Sequence, residues 1–177
     1  MDARRVNTIV ESTWLRLALV IPVALTLQLS LVAELHLLGA TGDVLLLFAL
    51  VGAMITGSRR GAVFAFVIGL AFDLFLQTPF GLSALAYCLS ASIVGRVHNS
   101  LYRELWWFAP FTVFVGSAGS VVVWVLIGTL FGVRELLNSH LVGIVLVASG
   151  LNAVLAPAAL KIMRWVLAAE RPSHQPA

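Results

Sequence analysis

Asp73 stands inside an apolar run that extends from residue 61 to residue 97 and breaks at Gln77-Thr78-Pro79-Phe80-Gly81. A carboxylate placed there can lock a turn between two helices, serve a proton or substrate, or meet a polar group on a partner helix. Twelve residues past Gly61, it falls roughly 18 Å along a helix that rises 1.5 Å per residue. That is near the helix C-terminus, which is itself partly negative, so the carboxylate needs a positive partner. The nearest is the N-terminus of the next helix, whose free N–H groups around residues 80–82 can donate to it.

The other polar residues are scattered. Glu34 and His36 are two apart and share no helix face, so they read as interfacial groups reaching lipid headgroups. Asn152 falls near the middle of an apolar segment and reads as a hydrogen bond to another helix, with His140 at that segment's entrance. Cys88 is the single cysteine and offers neither an intrachain disulfide nor a thiolate metal cage. The chain contains no Gly-rich phosphate loop and no His-Glu-x-x-His. An enzyme in the membrane needs His, Ser or acidic groups converging at one depth, and Asp73 lacks such company. No catalytic, cofactor-binding or metal residues are therefore expected.

The elements that carry these residues follow from composition. Of 177 residues, 60% are hydrophobic and 11% charged, and the mean hydropathy is +1.02. A soluble domain carries roughly 25% charge. So apolar a chain cannot clothe itself in a polar skin, and a soluble enzyme, a nucleic-acid binder and a disordered tail are excluded. The net charge of +3 reflects basic residues that mark one side of a membrane rather than a nucleic-acid surface. The fold class is all-α: a compact bundle of six transmembrane helices in one domain, residues 17–168. A cytoplasmic segment, 1–16, precedes it and a polar tail, 169–177, follows.

The expected spans are residues 17–38, 44–56, 61–76, 79–97, 106–131 and 141–160, the last with a helical continuation to 168 as its alternative. A span needs about 20 apolar residues, so 44–56 is the shortest, with a buried re-entrant segment as its alternative. Thr78 suits an N-cap and Pro79 the first helical position, making 61–97 a tight helical hairpin. Pro157 is expected to kink the last span. Ten of the 11 Lys and Arg residues then lie on one side, including Arg59, Arg60, Arg96 and Arg164, and Arg134 alone lies on the other. Both termini are accordingly placed in the cytoplasm. Small residues (Gly116 with Ser120, Gly119, Gly57 with Gly61, Ala86 with Ser90) are spaced for close helix packing or for a partner's span.

The stretch from Arg60 to Phe75, followed by Thr78-Pro79-Phe80-Gly81-Leu82-Ser83-Ala84-Leu85-Ala86-Tyr87, resembles the rod shape-determining protein family MreD. The matching positions are Gly61, Gly69, Leu70, Asp73, Leu74, Pro79 and Gly81. They cover about thirty residues, with agreement in hydropathy elsewhere. The resemblance implies a multi-pass protein of the bacterial cytoplasmic membrane that is not an enzyme and belongs to the cell-elongation machinery. It implies association with a single-span MreC-like protein, with MreB, and with the wall synthases RodA and a class B penicillin-binding protein. Gly61, Gly69, Asp73, Pro79, Gly81 and Asn152 become the structural or interaction candidates. The competing reading is a substrate-binding membrane subunit of an energy-coupling-factor vitamin transporter, with Asp73, Glu34, His36, Asn152 and Trp124 around an outward pocket. The few polar groups at mid-membrane speak against a vitamin-sized ligand, and a pocket of several hundred Å³ is the discriminator.

Overall fold

The computed structural model describes residues 20–28, 30, 43–75, 80–100, 107–130 and 141–167. Among the described residues the protein has six helices and no strand. Helix α1 is described over residues 20–28. It is followed by α2 (Val44–Thr56), α3 (Ser58–Asp73), α4 (Leu82–Ser100), α5 (Phe108–Leu130) and α6 (Leu141–Leu167).

Helix α2 organises the bundle. It is apolar on every side, and a helix without a polar face has to be enclosed. Ten of its 13 residues are buried, with α3, α4, α5 and α6 packed around it. Its start is fixed by Asp43, whose side chain accepts from the Leu46 N–H at 2.9 Å. Its end is fixed by Gly57 at φ 86°, a backbone region that suits glycine. That one residue is the whole connection to α3. At 1.5 Å per residue, α2 is about 20 Å long, short of a hydrocarbon core of about 30 Å.

The tight turn at Gly57 starts α3 at Ser58, three residues ahead of the expected position. The helix then stops at Asp73 rather than at 76, where the Phe75 N–H turns back to the Phe72 carbonyl at 2.9 Å. Helix α4 begins at Leu82, not at Pro79. Gly81 at φ 95° redirects the chain immediately before it, so the first helical position belongs to Leu82. Thr78 and Pro79 themselves lie outside the described residues, as do Glu34, His36 and His140. Helix α5 fills nearly all of the expected 106–131. Helix α6 runs through Pro157 without interruption to Leu167, close to the end of the expected continuation to 168, and carries the exposed Lys161 and Arg164 on its last turns.

Two helical stretches, Phe108–Leu130 and Val145–Leu167, are long and apolar enough to cross a membrane; α2 and α4 are apolar but shorter. Large exposed apolar side chains occur on every described helix except α2, including Val63, Leu89, Phe111, Leu126 and Val154. Such an exterior suits lipid and not water. Several helix hydroxyls bond back to carbonyls of the preceding turn, as Thr56 does to Gly52 at 2.8 Å and Thr112 to Phe108 at 2.7 Å. They thereby satisfy themselves without water.

Candidate functional site

Asp73 is the last residue of α3 and is only 3% exposed. Its carboxylate crosses the turn and accepts three backbone N–H groups at the start of α4: Gly81 at 2.9 Å, Ser83 at 3.2 Å and Ala84 at 3.3 Å. These are orphan donors of a helix N-terminus, which carries partial positive charge. One side chain thus satisfies its own charge and caps the neighbouring helix. The donors extend two residues further into α4 than the expected 80–82, because the helix begins later.

Two glycines let this hairpin close. A Cβ on Gly69 would lie 2.6 Å from the Ala84 Cα, and one on Gly61 would lie 2.3 Å from the Ala53 Cα. Both are backbone contacts that no side-chain rotation relieves. Gly69 therefore sets the α3–α4 approach and Gly61 the α2–α3 approach. At the opposite end of the α3–α4 pair, Gly95 meets the Ser58 backbone, and the Ser58 hydroxyl donates to the Ser92 carbonyl at 3.0 Å. Gly57 is a turn residue rather than part of a packing stripe with Gly61. At Gly81 no atom lies within 4 Å of a built Cβ, so its requirement is conformational.

A second carboxylate repeats the arrangement. Asp43 caps α2 and also accepts a hydrogen bond from the Tyr87 hydroxyl on α4. The Tyr87 ring stacks on Phe72 with centroids 6.4 Å apart. Gln28 on α1 accepts from the Val44 N–H at 2.6 Å, so a third helix attends the same end of α2. Asp43, Phe72, Ser83, Tyr87, Ser120 and Trp124 line a small cavity of about 170 Å³ at this end of the bundle.

Asn152 is elsewhere. It is 1% exposed between α5 and α6 and donates to the Ser117 hydroxyl at 3.1 Å, while its own carbonyl oxygen and the Ser149 hydroxyl have no partner among the described residues. The structure therefore brings Gly69, Asp73 and Gly81 together, sets Gly61 at the next helix crossing, and leaves Asn152 apart. Among the described residues no group of three His, Cys, Asp or Glu could hold a metal ion.

The outer faces of α4 and α5 diverge into an apolar groove of about 280 Å³, lined by Ser90, Ile93, Val97, Phe111, Gly116 and Gly119. Gly116 is held close by Val94 and Leu50, whereas a Cβ on Gly119 would meet nothing within 4 Å. Ser90 is 5% exposed, and its hydroxyl is without a partner among the described residues. The groove adjoins the basic end of the bundle. The Ser58–Gly95 contact sets the exposed Arg59 and Arg60 beside the exposed Arg96. Met163, one residue before Arg164, reaches Gly52 in the last turns of α2.

The family model of rod shape-determining protein MreD matches residues 9–166, nearly the whole chain. The chain belongs to the MreD family. No curated protein and no solved structure matches it. As an MreD protein it is a membrane component of the rod shape-determining machinery, and its context is cell shape and peptidoglycan synthesis.

In this MreD chain, Asp43, Tyr87 and Gln28 were not singled out from sequence. Asp43 immediately precedes an apolar helical run, which is an N-cap signal. Gln28 interrupts the first apolar segment, and a polar side chain there needs a partner. Both signals were present. Tyr87 gave none, because an aromatic residue in a membrane helix is ordinary.

Proposed function

We propose that this MreD chain is a multi-pass protein of the bacterial cytoplasmic membrane with six spans and both termini in the cytoplasm. It acts without catalysis, as an intramembrane scaffold that holds an MreC-like single-span protein and links the MreB filament to the wall synthases. Arg59, Arg60, Arg96 and Arg164 supply the cytoplasmic rim in this orientation, and the carboxylate-capped end faces outward. The hairpin built on Gly61, Gly69, Asp73, Pro79 and Gly81 is the rigid platform, and Asn152 ties α6 to it through α5.

The observation that carries the reading is the α4–α5 groove. Helix association in lipid depends on close van der Waals fit and on a few interhelical hydrogen bonds. The groove offers both: small residues at Gly116 and Gly119, and the unpaired Ser90 hydroxyl on its floor. A transmembrane helix of the MreC-like partner is the occupant. Gly119→Leu tests this, because the new side chain enters open space and fills the groove without disturbing the bundle. The expected result is a protein that accumulates normally and loses co-purification with MreC and support of cell elongation. Retention of both by the variant contradicts the groove as the docking face.

A further inference from the structure

The cavity at the carboxylate-capped end gathers polar groups that are otherwise few in this protein. It opens between the starts of α2 and α4 and the C-terminal half of α5, with Asp43, Ser83, Tyr87 and Ser120 in its wall. The Asp43 carboxylate spends one oxygen on the Leu46 N–H and the other on the Tyr87 hydroxyl. A carboxylate offers about four lone-pair sites, so acceptor capacity remains. Asp73 stands directly behind the wall, bonded to the Ser83 N–H.

The charge around the cavity is unbalanced. Among the described residues neither Asp43 nor Asp73 is in an ion pair with Lys, Arg or His. Each faces a helix N-terminus worth about half a positive charge, which leaves the pair net negative. Asp43 lies just ahead of the 44–56 segment, and burial pushes its carboxyl above the ordinary range despite the opposing hydrogen bonds from Tyr87 and the backbone. A cation would remove that penalty. The remaining walls suit one as well: Phe72, Tyr87 and Trp124 present aromatic rings, whose faces attract cations. Ser83 and Ser120 add hydroxyl acceptors.

We propose that this cavity binds an ammonium group, carried either by an ethanolamine lipid headgroup or by a free small amine. The carboxylate and hydroxyls accept its N–H bonds while the rings cover its apolar side. A volume of about 170 Å³ suits a headgroup-sized group rather than a vitamin. The inference goes beyond the scaffold reading and does not depend on where MreC docks.

The test is thermal unfolding of the full chain in detergent. The additives are dihexanoyl phosphatidylethanolamine, dihexanoyl phosphatidylglycerol, ethanolamine hydrochloride, and sodium chloride at matched ionic strength. A saturable rise in Tm with phosphatidylethanolamine and not with phosphatidylglycerol is the expected result. A rise with ethanolamine as well assigns the free amine as sufficient, and a rise with the lipid alone assigns the lipid. Asp43→Asn keeps an oxygen for the Leu46 N–H and removes the charge. It is expected to fold and to raise the half-saturating concentration about tenfold, the scale of one partly desolvated charge contact. Trp124→Leu, which removes an aromatic wall and leaves both caps intact, is expected to weaken the response in the same direction. An equal rise with phosphatidylglycerol overturns the proposal. So does the absence of a saturable rise with either amine, or an unchanged response in both variants.

Discussion

Ten of the 13 residues of α2 are buried, against six of the 23 in α5. The α2–α3–α4 half is drawn together by backbone contact: Gly61 on Ala53, Gly69 on Ala84, Gly95 on Ser58. Its helix ends are tied by carboxylates that reach from one element to the next. In the α5–α6 half Asn152 donates to Ser117, and an open groove lies where α5 leaves α4. In lipid there is no hydrophobic drive between helices, so cohesion has to come from close approach and satisfied polar groups. Where both are present the bundle is closed. Where they thin out, an apolar surface is left open.

The contrast is broken most strongly at Gly61. Gly61→Val places a branched side chain where the Ala53 backbone already is, so α2 and α3 must part. A loss of about 3 kcal/mol of stability, at the upper end of overpacking effects, or failure to accumulate in the membrane is expected. Reversible unfolding of the purified protein in mixed micelles measures it. A variant within error of the parent would mean that the closed half is not held by this crossing.

Asp73→Ala comes next. It leaves three N–H groups of α4 without their acceptor in a buried site, at an expected loss of about 2 kcal/mol. Asp73→Asn keeps an acceptor oxygen and should recover part of it. Hydrogen exchange at Ser83 and Ala84 distinguishes a lost cap from general loosening: their protection should fall first in the Ala variant.

Asn152→Leu probes the open half and has the smallest expected effect, below about 1 kcal/mol, the usual range for interhelical hydrogen bonds in membranes. The bond to Ser117 disappears, but so does the unpaired Asn152 carbonyl oxygen. The same unfolding assay reads it, and a loss as large as that of Asp73→Ala would erase the distinction between the halves.

Much of the closed half was legible in the sequence, because its determinants are rare residue types. An aspartate in an apolar run has few ways to be satisfied, and its distance from Gly61 and from the Pro-Phe-Gly break pointed to the start of the next helix. The boundaries shifted by about three residues because Gly57 and Gly81 make the turns by adopting positive φ, and sequence does not separate a turn glycine from a packing glycine. Gly57 and Gly61 illustrate this, alike in type and opposite in use. Gly119 and Gly116 do so in the open half: three residues apart, both line the groove, but Gly116 is also held against Val94 and Leu50 while Gly119 has open space before it. The central position of α2 was not read either. Its brevity marked it as unusual, but only its packing shows that a helix with no polar face is enclosed on all sides. The Asp43–Tyr87 bond joins residues 44 positions apart, and nothing local announces it.

The most direct test of the scaffold reading is site-specific photocrosslinking in cells that also express MreC. A benzoylphenylalanine at Val115, which lines the groove, is compared with one at Val67 on the exposed face of α3. An MreC adduct from position 115 and none from 67 is the predicted result. Adducts from 67 with none from 115 would contradict it.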